Sequence, residues 1–181
     1  MARKPKPGEM TLSGGLLCIF GVGTLIIGDS GIGKSESALE LIARGHRFVS
    51  DDVVRVRRGA GGRIIGEAPA LTRNFMEIRG LGIINIREIF GPRAIRRSSP
   101  LDLIIRLRKW EKGLELDRLG LKVPHDATVL GVRVPRLLIP VAPGRNIATL
   151  IEVACKVHLL RRKGYHAPRE IVRRLDRALL S

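Results

Sequence analysis

The 181-residue chain is 44% hydrophobic and 28% charged, which suits a domain with its own core and excludes an intrinsically disordered polymer. Its formal net charge of +16 points to anionic partners such as a nucleotide, an acidic protein surface or nucleic acid. With one Trp, one Tyr and four Phe, a platform that stacks nucleic-acid bases on aromatic rings is disfavoured. Two cysteines, Cys18 and Cys155, sit in the apolar runs LLCIF and VACKV. They read as small core residues, neither metal ligands nor a disulfide frame, in keeping with a reducing cytoplasm.

Residues 1–9 are polar and Pro-rich and read as a flexible basic arm ahead of a single domain over 10–181. From Met10 to Gly28 there is no charge, and a basic stretch precedes the run. Gly14, Gly15, Gly21, Gly23 and Gly28 interrupt it, so two short strands, Leu16–Phe20 and Thr24–Ile27, explain it better than a membrane span. Lys34–Arg44 carries Ala38, Leu39, Leu41 and Ile42 at helical spacing, with Gly45 as its stop. His46–Ser50 reads as a strand running into Asp51 and Asp52. Val53–Arg57, Arg63–Gly66, Gly80–Ile84 and Leu101–Leu107 are further strands, and 91–100 (GPRAIRRSSP) reads as a basic loop. In that loop Arg93, Arg96 and Arg97 suit an acidic docking surface or inorganic phosphate. Residues 108–133 are weakly patterned. Val134–Val141 holds Pro135 and Pro140 and suits an edge strand. Ile147–Leu160 reads as a helix with Leu150, Val153, Val157 and Leu160 on one face. Pro168 opens a last helix striped by Ile171, Leu175 and Ala178.

The strongest chemical signal is the run Gly28, Asp29, Ser30, Gly31, Ile32, Gly33, Lys34, Ser35, which fits G-x-x-x-x-G-K-[ST] between an apolar strand and an amphipathic helix. Such a loop wraps phosphates with backbone N–H groups and adds the positive end of the following helix. Lys34 reaches the β- and γ-phosphates, and Ser35 is placed to ligate Mg²⁺. Asp51 and Asp52 follow the next strand, where a parallel β-α-β unit brings a second strand end beside the phosphates. A carboxylate there holds a metal or accepts a proton from an attacking hydroxyl. Glu77 and Arg79 alternate along an extended segment and so face one side, which suits a metal–phosphate site. Arg118, after Asp117, and Arg145, after Pro143 and Gly144, are arginines of the kind that stabilise a transferring phosphoryl group.

These stretches resemble the catalytic domain of HPr kinase/phosphorylase. The resemblance is carried by 19–52 (IFGVGTLIIGDSGIGKSESALELIARGHRFVSDD), 77–91 (EIRGLGIINIREIFG), 116–120 (LDRLG) and 140–154 (PVAPGRNIATLIEVA), in the family's order. It implies an α/β P-loop kinase domain of the phosphoenolpyruvate carboxykinase-like type, with a mixed sheet and C-terminal helices. It also implies ATP- and Mg²⁺-dependent phosphorylation of a serine of the phosphocarrier HPr, and in many members the reverse phosphorolysis giving pyrophosphate. By resemblance Gly28–Ser35 bind the nucleotide, Ser35 and Glu77 hold the metal, and Asp52 is the proton acceptor assisted by Asp51. Arg118 is an active-site arginine, residues 76–85 serve both reactions, and 139–144 match the segment tied to phosphorolysis. A cytoplasmic homohexamer is the family's usual form.

Two departures stand out. The family's His-Gly pair before the first strand is here Ser13-Gly14, and a serine cannot titrate near neutral pH. Most members of the family carry a separate N-terminal domain, and the resemblance here starts at the catalytic domain, so a trimmed chain and a short form without the regulatory domain are both expected readings. The other histidines, His46, His125, His158 and His166, lack metal-ligand spacing and read as packing or surface residues. Two other classes stay open from the residues: a small-molecule kinase on the same loop, and a basic nucleic-acid-binding module, for which the C-terminal arginines speak.

Overall fold

In the computed structural model the described residues are 8–111 and 126–180. The charge-free run near the start folds as three strands: β1 (Glu9–Ser13), β2 (Gly15–Ile19) and β3 (Val22–Ile27). β2 and β3 form a hairpin turned by Phe20 and Gly21, both at positive φ. Glycine-rich turns thus divide the uncharged run into short strands, of which β2 and β3 were expected and β1 was not. Among the described residues no helix is long and apolar enough to cross a membrane.

After β3 come α1 (Lys34–Ala43), β4 (Arg47–Ser50), β5 (Val53–Arg58) and β6 (Ile64–Glu67). β7 (Phe75–Ile78) and β8 (Gly82–Asn85) form a hairpin, followed by α2 (Ile86–Phe90), β9 (Ser98–Pro100) and β10 (Leu103–Lys109). β11 (Ala127–Val129) pairs with β12 (Val132–Val134), and β13 (Arg136–Val141), α3 (Ile147–Arg162) and α4 (Ala167–Leu179) complete the described chain.

The central sheet has the order β13-β10-β3-β2-β4. β13, β10 and β3 run parallel, and β2 is antiparallel to both β3 and β4. The sheet is therefore mixed, with C-terminal helices, as expected. The expected β-α-β unit forms with one difference: β4 runs in the direction of β3, but β2 lies between them. β13 is an edge strand, which tolerates Pro140 because one side of its backbone needs no ladder partner.

Both faces of this sheet are covered, and the period-2 alternation of its strands sorts residues between them. Leu17, Ile19, Val22, Ile26, Leu103, Ile105 and Leu107 face α1 and α3. Leu16, Leu25 and Ile104 face a second sheet of order β1-β5-β6-β9, meeting Val54, Val56 and Ile64. The two layers approach closely at Gly23, where a Cβ would lie 1.5 Å from the Pro100 carbonyl oxygen.

Three readings are corrected. The basic loop 91–100 contains a 3₁₀ turn at Pro92–Ala94 and the strand β9, which closes the second sheet. The weakly patterned 108–133 stretch includes β11 and most of β12, whose three-residue strands are too short to show periodicity. The face of α3 that enters the core is Ala148, Ile151 and Cys155, whereas Val153, Val157 and Leu160 are exposed. Both rows are apolar, so hydropathy alone did not select the inward one.

Candidate active site

Gly28–Ser35 leaves the carboxyl end of β3 and enters α1. The turn requires glycine: φ is +77° at Gly31 and +99° at Gly33, which caps α1. The Lys34 ammonium donates to the carbonyls of Gly28 and Asp29, both at 2.9 Å, so its charge is held at the mouth of the loop.

β4 ends at the same edge of the sheet. Ser50 Oγ donates to the Val53 carbonyl at 2.6 Å, and the Val53 N–H donates to the Asp51 carbonyl at 2.6 Å. This tight reversal puts Asp52 at φ +56°, a region that L-residues adopt at a cost, and strain of that kind clusters at functional sites. The N–H of Gly14 donates to the Asp52 carbonyl at 3.0 Å, so Ser13-Gly14 lies directly beside the aspartate turn. Asp52 is exposed, whereas Asp51 is buried and accepts the Glu77 N–H at 3.3 Å. Burial, then the neighbouring Asp52 charge, raise the Asp51 carboxyl to about 6.

The β7–β8 hairpin brings the third component. Met76 and Ile78 of β7 are buried in the helix-side core, so Glu77 between them points outward. Arg79 follows on the same side and donates to Ser30 Oγ at 3.1 Å. One cleft is lined by Ser30, Gly31, Gly33, Lys34, Ser35, Glu36, Asp52, Glu77 and Arg79. The loop, the second aspartate and the Glu77–Arg79 pair, 49 positions apart at their Ser30–Arg79 contact, thus share one site. Glu36 was not among the residues singled out, although its place directly after Ser35 was the available signal.

Arg145 is exposed and donates to the Pro140 carbonyl at 3.0 Å; it is not among the residues lining the cleft. Arg118 and His125 lie outside the described residues. His46 is buried against Glu152 at 2.7 Å, as a packing residue would be. Cys18 and Cys155 are free and buried.

Ser35 and Glu77 face the same cleft with oxygen atoms, and among the described residues no group of three or more His, Cys, Asp or Glu gathers into a cage. One hydroxyl and one carboxylate suit a hard divalent cation that keeps waters and shares its remaining positions with phosphate oxygens.

The family model described as HPr Serine kinase C-terminal domain matches residues 7–175. The chain belongs to that family. A curated HPr kinase/phosphorylase of Geobacter sulfurreducens is 48% identical over 164 residues, covering 91% of this chain and 51% of the relative. That of Caldanaerobacter subterraneus subsp. tengcongensis is 44% identical over 167 residues, covering 92% and 54%. The chain thus spans about half the length of the curated relatives it matches. The solved structure of the Hpr(Ser) kinase/phosphatase from Coxiella burnetii superposes with a TM-score of 0.81 at 36% identity, covering 90% of this chain and 98% of that one. The expected HPr kinase resemblance and P-loop α/β fold are both supported by these likenesses.

Proposed function

We propose that this chain is the catalytic part of an ATP- and Mg²⁺-dependent protein-serine kinase that phosphorylates HPr. The observation that carries the reading is the shared cleft of Lys34, Ser35, Asp52, Glu77 and Arg79, contributed by three separate elements. In phosphoryl transfer the protein supplies positioning and charge more than covalent chemistry.

The N–H groups of the glycine loop and the Lys34 ammonium hold the nucleotide phosphates. Ser35 and Glu77 would hold Mg²⁺, which when bound would offset the negative charge of the nucleotide phosphates. Asp52, exposed at the rim, accepts the proton of the acceptor serine as its hydroxyl oxygen bonds to the γ-phosphorus and the bond to ADP breaks. Asp51 orients Glu77 through its N–H. Arg79, anchored over the loop at Ser30, stabilises charge on the transferring group, a role in which Arg118 joins it by family resemblance. Arg145 stands by the segment the family ties to phosphorolysis. Ser13 beside the Asp52 turn replaces a titratable histidine, so phosphorolysis of phospho-HPr is slower relative to the kinase reaction than in relatives with the histidine.

Self-association of the chain, a hexamer by resemblance, is supported by α4: it buries none of its residues, and Ile171, Leu175 and Leu179 remain exposed along it. The reading includes a cytoplasmic location and HPr, not nucleic acid, as the macromolecular partner.

The test is transfer of label from γ-labelled ATP to purified HPr with Mg²⁺, followed by added phosphate. Asp52→Asn is expected to abolish transfer while nucleotide still binds. Absence of transfer by the parent chain with ATP demonstrably bound overturns the reading.

A further inference from the structure

At the opposite edge of the central sheet lies a second cavity of about 460 Å³, lined by Cys18, Phe20, Arg44, His46, Arg47 and Arg96 with two glycines. The P-loop leaves the carboxyl end of β3, whereas this cavity sits at the β2–β3 turn and the start of β4. The two sites are thus separated by the length of β3, roughly 17 Å at the rise of a strand.

Among the described residues no carboxylate lines the cavity. Its basic side chains divide into two that are engaged by carboxylates and two that are uncommitted. Arg44 is engaged by Glu152 at 2.6 Å and by Glu40 at 2.5 Å, and His46 holds the other Glu152 oxygen at 2.7 Å. Arg47 has no acidic partner among the described residues. Among the described residues the Arg96 guanidinium donates only to neutral acceptors, the Ser98 carbonyl at 2.9 Å and Cys18 Sγ at 3.0 Å. A guanidinium half-buried without a counter-ion is an arrangement that an anion completes.

The wall of the cavity is aromatic. Phe20 stands at φ +51° on the hairpin turn, its ring edge-on to His46 with centroids 4.7 Å apart and the Lys156 ammonium 4.7 Å from its own centroid. It remains 43% exposed, which leaves ring surface for a ligand. The volume lies within the range of small-molecule sites, where an apolar wall and a few charged groups together fix orientation.

We infer that this cavity is a second anion site, separate from the P-loop, which takes a small phosphate monoester with its phosphate on Arg47 and Arg96 and its organic body against Phe20. The inference does not rest on the kinase reading, since none of its residues lines the P-loop cleft.

The test is calorimetric titration of the Lys34→Ala variant, which disables the P-loop, with phenyl phosphate and with inorganic phosphate. Saturable binding of phenyl phosphate is expected, weakened tenfold or more by Arg47→Glu and by Arg96→Gln. Arg47 is exposed, so Arg47→Glu decides the matter even if the half-buried Arg96 variant fails to fold. Phenyl phosphate is expected to bind more tightly than inorganic phosphate, and Phe20→Ala to remove that difference. Absence of saturable binding, equal binding by the Arg47→Glu variant, or displacement of the probe by ATP overturns the inference.

Discussion

Asp51 and Asp52 are neighbours in sequence, yet the chain gives them opposite surroundings. The turn after β4 throws Asp52 into solvent at positive φ and folds Asp51 inward beneath β7. Burial pushes the Asp51 carboxyl up to about 6 from an ordinary 3.8, so the folded chain holds this proton more tightly than the unfolded chain. The sign follows: the cost of ionising Asp51 is absent below about pH 4, grows as pH rises to about 6 and is constant above. Thermal unfolding in metal-free buffer is expected to show stability falling across that window. Asp51→Asn, which keeps an acceptor for the Glu77 N–H, is expected to gain roughly 2 kcal/mol near pH 7 and to lose the slope. Arg79 offers a second residue-scale prediction. Arg79→Ala removes the guanidinium over Ser30, and kcat is expected to fall about 100-fold or more, with a much smaller change in ATP affinity measured by direct binding. These pairings were only partly legible beforehand. The glycine–lysine spacing named the loop residues by itself, because a phosphate cradle demands those types at those intervals. The difference between Asp51 and Asp52 lies in burial, which adjacent identical residues do not reveal.

At the scale of elements, the β7–β8 hairpin positions the site through its inward residues. Met76 and Ile78 anchor it in the core shared with α1, and that anchoring aims Glu77 and Arg79 at the loop. Met76, 1% exposed, is the place to test this. Met76→Ala is expected to cost about 2–5 kcal/mol in denaturant unfolding and to lower activity in chains that remain folded, since the hairpin loses its seat. Gly23 makes a sharper case. A Cβ there would sit 1.5 Å from a backbone oxygen of β9, and neither backbone can move without parting the two sheets. Gly23→Ala is expected to destabilise by about 3 kcal/mol or more, seen as a lowered denaturant midpoint. The long strands and helices were readable because each carries several turns of its own period. β1, β9, β11 and β12 were not, since strands of three to five residues at sheet edges take their conformation from a partner distant in sequence.

For the whole molecule, the sequence by itself determined the phosphate loop, the alternation that builds a mixed α/β sheet, and the family to which the chain belongs. These are local or periodic properties, and residue type at fixed spacing states them outright. The +16 charge was equally plain, but not where it matters. Charge is a property of the total, whereas a site needs cations gathered without counter-ions, and only the fold separates the paired Arg44 from the uncommitted Arg47 and Arg96. Only the tertiary structure decided that β2 lies between β3 and β4, which face of α3 is inward, and that Ile171, Leu175 and Leu179 of α4 stay exposed. The last point belongs to assembly: Leu175→Asp is expected to shift the chain toward smaller species in sedimentation analysis while leaving the single-chain core intact. An amphipathic pattern declares that a face will be covered. What covers it depends on where the rest of the chain goes, and that is settled by contacts between residues far apart in sequence.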